Sequence, residues 1–226
     1  MKISNLALAA LAFASPFAGA HAITFDLGGN GGNGTDGNKI SFNQDGLTVT
    51  ASAWNSHEDR STWYDRTLGQ WGSGLGVGGD ERHTVDNVGG IDYVLFEFSE
   101  AVNPLSLFLR SEGNWGQDTD IQFWVGSAFS DNDPNTTDFT STIFSSFIYG
   151  GISSGGWGSR WANLNTPLAG TALLVGANLE PGNSEDSFKI KKLSVDRAIV
   201  PDSSTTLALL ALGLAALAGI ARHYKN

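Results

Sequence analysis

The chain has 226 residues, with 23 Asp and Glu against 13 Lys and Arg, a formal net charge of −10 and no cysteine. That length suits one domain with a sizeable core. The acidity argues against nucleic-acid and anionic-membrane partners, and the missing cysteine excludes disulfides and thiol chemistry.

In chain order, residues 1–22 read as a secretory signal peptide. Lys2 gives a positive start, Leu6 to Phe13 an apolar stretch, Pro16 and Gly19 a break, and Ala20-His21-Ala22 the small residues that signal peptidase requires. The expected mature chain starts at Ile23. From there to Val200 it holds 22 Asp and Glu against 10 Lys and Arg, a net of −12.

The body, 23–199, is patterned as strands. Ile23, Phe25 and Leu27 alternate, as do Ile40 and Phe42, and then Leu47, Val49, Ala51 and Ala53. In 91–98, Val94, Phe96 and Phe98 take one face and Tyr93 and Leu95 the other, the mark of a strand buried on both sides. Leu105, Leu107 and Leu109 alternate in 104–110, and Ile121, Phe123 and Val125 in 120–126, with Trp124 expected in the core. The stretches 140–149, 171–179 and 187–195 complete the set, and the alternation slips between Ile190 and Leu193, which predicts a bulge. Gly, Asn and Asp clusters separate these runs as turns do. Nine or ten such strands predict an all-β body, an antiparallel β-sandwich of jelly-roll type, with a barrel as second choice.

Three features of the body bear on chemistry. The glycine-rich stretch 27–38 lacks the Gly-Lys-Ser/Thr ending of a phosphate loop and, with only Asp36 as carboxylate, reads as a plain loop rather than a calcium repeat. The acidic clusters are the second: Asp118 and Asp120 at a strand entrance, Asp131 to Asp138 with its asparagines, and Asn183, Glu185 and Asp186. Loops of Asp and Asn can supply the six to eight oxygens of a structural calcium, or simply turn their side chains onto their own backbone. Asp186, with Glu185, Asp118 and Asp120, is the preferred candidate set. Tryptophan is the third. Trp63, Trp71, Trp115 and Trp157 lie among Gly, Ser, Asn and Asp, where loops are expected. Indoles beside amides and carboxylates suit a sugar-binding surface; the alternative is that they cover the ends of the core.

Catalysis has little to rest on. His57 and His83 have no metal-ligand spacing, and Glu97 and Glu100 are glycosidase carboxylates only by default. The expectation is a non-enzyme.

The C-terminal segment 200–226 has three parts: Val200-Pro201-Asp202-Ser203, an apolar run from Leu207 to Ala221, and Arg222, His223 and Lys225. Fifteen helical residues span about 22 Å against a hydrocarbon core of about 30 Å; with the preceding hydroxyl residues, 205–221 is a marginal transmembrane helix. The terminal cations place that end in the cytoplasm and the body outside. This tripartite segment resembles the PEP-CTERM sorting signal of bacterial exosortase systems, in its Val-Pro-Asp-Ser variant, with Ser204 where Gly is usual. The stretch 69–102 also resembles part of several exosortase-sorted proteins, with Asp86-Asn87 as a turn before a central buried strand.

The resemblance implies an exosortase as partner, which cuts near Pro201, and passage through the inner membrane to the cell surface or the extracellular space. It further implies a surface or matrix protein with a structural, adhesive role beside extracellular polysaccharide. The alternative is a carbohydrate-binding module that uses the loop tryptophans.

Overall fold

The computed structural model describes residues 21–29, 39–78, 83–111, 117–127, 144–179 and 185–198. Among them no helix is long and apolar enough to cross a membrane, and the expected signal peptide, sorting motif and transmembrane helix (205–221) lie outside them, apart from His21 and Ala22.

Among the described residues the body is all-β, 68% strand, as the alternation predicts. Twelve strands run β1 (Ile23–Asp26), β2 (Lys39–Gln44), β3 (Leu47–Ser56), β4 (Trp63–Trp71), β5 (Gly74–Gly78), β6 (Val85–Asp86), β7 (Ile91–Ser111), β8 (Ile121–Gly126), β9 (Tyr149–Ser153), β10 (Arg160–Asn163), β11 (Gly170–Ala177) and β12 (Ser187–Arg197). Every ladder between them is antiparallel.

The organising element is β7. Its first half pairs with β3 on one side and β11 on the other, and its second half with β12 and β10. The hydrogen-bonded ring β7–β3–β4–β5–β12 returns to β7, so the sheet closes on itself like a barrel, while β8 and β9 extend it beyond β11. The 91–98 stretch is buried on both faces, as expected: Tyr93, Val94, Leu95 and Phe96 are all at or below 1% exposed.

The sequence separates 91–98 from 104–110, whereas the structure runs one 21-residue strand through both. Pro104 is accommodated because the register with β12 shifts between Ser194 and Val195, opposite it; proline without an N–H is tolerated where a ladder is already interrupted. The bulge expected between Ile190 and Leu193 is present, with the register shifting between Ile190 and Lys192. In the expected strand 140–149, residues 140–143 lie outside the described residues. Phe147 N–H donates to the Phe144 carbonyl at 3.1 Å, closing a turn, and strand geometry begins only at Tyr149. Phe144 and Phe147 turn their rings onto the rim of the core instead. Between β2 and β3, Asp45 and Gly46 both have positive φ, 52° and 77°. This is the two-residue turn whose twist matches paired antiparallel strands.

Phe25, Tyr93, Phe96, Phe123 and Phe188 are among the largest fully buried side chains and join the aliphatic residues in one core cluster. One end of that core is closed by a cation. Arg60, at φ 54°, lies 4.9 Å from the Trp124 ring and donates to Tyr93 Oη at 3.1 Å and Gln122 Oε1 at 2.6 Å. Trp124 is partly buried beneath it and packs on the core.

Candidate functional site

Three of the four acidic residues singled out in the sequence meet in space. Asp118 and Asp120 lie just before β8, and Asp186 immediately precedes β12. A parallel bridge joins Asp118 to Asp186, and Ser187 N–H donates to the Asp118 carbonyl at 3.0 Å. All three are buried, Asp186 completely. Glu185, beside it in the chain, is exposed.

Their oxygens meet protein donors. Asp186 Oδ1 accepts the Asp120 N–H at 3.2 Å and its Oδ2 the Asn87 amide at 3.3 Å, while Asp186 N–H donates back to Asn87 Oδ1 at 3.1 Å. Asp118 Oδ1 accepts the Thr119 N–H at 2.8 Å. Asp120 Oδ1 accepts from Gly155 N–H at 2.7 Å and Gly156 N–H at 3.3 Å, and faces Arg160 Nη2 at 3.5 Å. Burial, reinforced by the Asp118 charge, pushes the Asp186 carboxyl up to about 7. Burial also lowers the Arg160 pKa, against the pull of Asp120, Asp118 and Asp186.

Among the described residues no three His, Cys, Asp or Glu side chains are set to hold a metal ion. The partners of these oxygens named above are backbone N–H groups, the Asn87 amide and the Arg160 guanidinium. The Asp131–Asp138 cluster and Asn183 lie outside the described residues. Asn87, which also donates to the Asn178 carbonyl at 2.9 Å, braces this cluster from 99 residues away. The expected Asp86-Asn87 turn is present, with Val88 N–H bonded to Asp86 Oδ1 at 3.0 Å; nothing in the sequence says that Asn87 then reaches across to Asp186.

The tryptophans separate into two groups. Trp63 and Trp71 are not in loops: they open and close β4. Trp63 packs 4.8 Å from Tyr93 and 5.5 Å from Phe144, and its Nε1 donates to the Arg60 carbonyl. Trp71 stacks on His83 at 4.9 Å and carries Lys189 Nζ 4.7 Å from its ring centre. Trp63 packs against the core. Trp157 is 69% exposed in the connection between β9 and β10. Trp115 lies outside the described residues.

Trp161, on β10, was not among the expected ligand residues, yet it is 48% exposed. The signal was present: Ala162 alone of its neighbours points inward, which leaves Trp161 and Asn163 together on the outer face. Glu97 and Glu100, an odd number of residues apart on β7, face opposite ways, and Glu100 pairs with Arg197 at 2.7 Å.

Residues 200–222 match the family model described as the VPDSG-CTERM motif. No curated protein and no solved structure matches the chain. The match bears out the Val-Pro-Asp-Ser opening at Val200, Pro201, Asp202 and Ser203. A PEP-CTERM-like sorting signal at 200–222 points to an exported, membrane-transiting and surface-sorted chain that an exosortase-type system processes.

Proposed function

We propose that an exosortase cuts this protein near Pro201 and delivers residues 23–199 to the cell surface or the extracellular matrix. There the all-β body serves a non-catalytic, structural and adhesive role beside exopolysaccharide. The observation that carries this reading is the match at 200–222.

The fold agrees with it. The last contacts among the described residues fall just before the motif: Arg197 bonds Glu100 and the Asp45 carbonyl, and Ala198 N–H the Ala101 carbonyl. Val200 follows two residues later, so a cut near Pro201 falls beyond the end of β12. At the other end β1 begins at Ile23, 4% exposed, directly after the expected signal-peptidase site.

Intact-mass measurement of the exported protein tests the proposal. A mass that starts at Ile23 and ends near Pro201, with or without an added group, is the expected result. A mass that retains Arg222 to Asn226 makes the tail a permanent anchor and sinks the exosortase reading.

One observation favours a second reading, direct polysaccharide binding by the body. Of the four tryptophans proposed from sequence, Trp157 stands out into solvent, and the unforeseen Trp161, four residues on in β10, does the same.

A further inference from the structure

We propose that the cleft between β9 and β10 binds a neutral polysaccharide chain, with Trp161 as its stacking platform. This rests on the second reading above and gives it a place and a ligand class. The cleft has a volume of about 500 Å³, and Ser153, Ser154, Arg160, Trp161, Asn163 and Asn165 are among the residues that line it. That size falls within the range of small-ligand sites.

The chemistry of the walls selects the ligand. Trp161 packs against Phe108, ring centres 5.3 Å apart at 53°, which fixes the indole while leaving it half exposed. A fixed aromatic face takes the C–H face of a sugar ring without a large ordering cost. Around it stand two serine hydroxyls and two asparagine amides, groups that both donate and accept and so match sugar hydroxyls. Asn165 adopts a left-handed backbone, φ 41°, immediately after Leu164, which is buried and anchored to the Leu105 carbonyl at 2.9 Å. The amide is therefore presented from a fixed point.

Among the described residues no carboxylate lines the cleft, and the one cation that does is already engaged. Arg160 donates from Nη2 to the carbonyls of Thr119 and Ser153, from Nη1 to Ser153 Oγ, and from Nε to Thr119 Oγ1 at 3.1 Å. Asp120 balances its charge at 3.5 Å. The guanidinium thus braces β9 to β10 and is not offered to an anionic ligand. Neutral glycans follow from this; uronic-acid polymers do not.

The test titrates the exported protein with dextran, soluble β-glucan, galactomannan and, as the anionic arm, alginate, and follows intrinsic tryptophan fluorescence and affinity electrophoresis. Saturable binding of at least one neutral polymer is expected, with alginate silent. Trp161→Ala should weaken that binding tenfold or more, and Asn163→Ala severalfold, while Trp71→Phe changes nothing. Because Trp161 also packs on Phe108, the melting temperature of each variant is measured alongside, and Asn163→Ala, which removes no ring packing, carries the test if Trp161→Ala unfolds. Silence of the neutral polymers, binding of alginate alone, or neutral binding that Asn163→Ala leaves intact overturns the site. Neutral binding that Trp157→Ala abolishes and Trp161→Ala does not would leave the polysaccharide reading standing and move it out of this cleft. Exosortase processing, read by mass, is independent of all these outcomes.

Discussion

Asp186 shows what burial does to a charge when its partners are mainly neutral donors. It accepts from Asp120 N–H and Asn87, yet lies beside Asp118 with no exposed surface of its own. Its carboxyl titrates near 7 in the folded chain and near an ordinary 3.9 when unfolded. Between those values the folded state holds a proton that the unfolded state has released, so stability at this site increases as pH falls from about 7 to about 4 and is level below that. The full effect is on the order of a few kcal/mol. Urea unfolding between pH 4 and 7.5 should show the slope, and Asp186→Asn, which cannot ionise, should flatten it. A wild-type midpoint that rises with pH across this window would contradict the assignment. Asp186→Ala leaves the Asp120 N–H and the Asn87 amide without their acceptor and should cost about 2–3 kcal/mol. That an acidic residue stood at 186 was legible in the sequence. That its neighbours would be two other carboxylates and Asn87 was not, because those contacts span 66 to 99 residues.

Among the elements, β4, β5 and β12 close the ring, and the closure is tight. Gly76, in β5, leaves so little room that a Cβ there would lie 1.8 Å from the His83 carbonyl oxygen. A backbone atom cannot swing aside as a side chain can, so Gly76→Ala should cost about 2–3 kcal/mol. Gly72, in the turn between β4 and β5, has only the Gly29 carbonyl at 3.7 Å, and Gly72→Ala should stay within about 0.5 kcal/mol. Equal urea midpoints for the two variants would show that the ring is looser than described. The same crowding explains Trp71. Its ring fills the space over Gly69, where a Cβ would lie 1.6 Å from it, and stacks on His83. The local composition, rich in glycine and serine, reads as loop because the sequence shows the glycines but not the ring that makes them necessary. The strands read correctly, β1, β2, β3, both halves of β7, β8, β11 and β12, are marked in the sequence by period-two alternation or, in β11, by a continuous apolar run.

For the molecule as a whole, β1 pairs with β12 so that Ile23 lies opposite Val195. Ile23 and the end of β12 at Arg197 therefore share one end of the body. The acidic cluster sits beside Ser187, at the other end of an eleven-residue strand, about 33 Å away at the usual rise per residue. Trp157, bridged to Asp118, stands at that far end. An exported chain that ends at Val200 should keep the melting temperature and far-ultraviolet spectrum of the processed protein while losing its surface retention. A lowered melting temperature would mean that the segment past Val200 contributes to the fold.

The sequence by itself determined the all-β class, the acidic cysteine-free body, the bulge near Lys192 and the sorting motif at Val200. Each of these is written in neighbouring residues: alternation, composition, a slipped period, a short ordered motif. Tertiary structure alone decided which carboxylates meet and which indoles face water. Trp63 is covered by Tyr93 and Trp71 by His83, while Trp161 is left half exposed on Phe108. Exposure is set by whatever packs against a side chain, and in an antiparallel sheet closed through one long strand those partners come from distant parts of the chain.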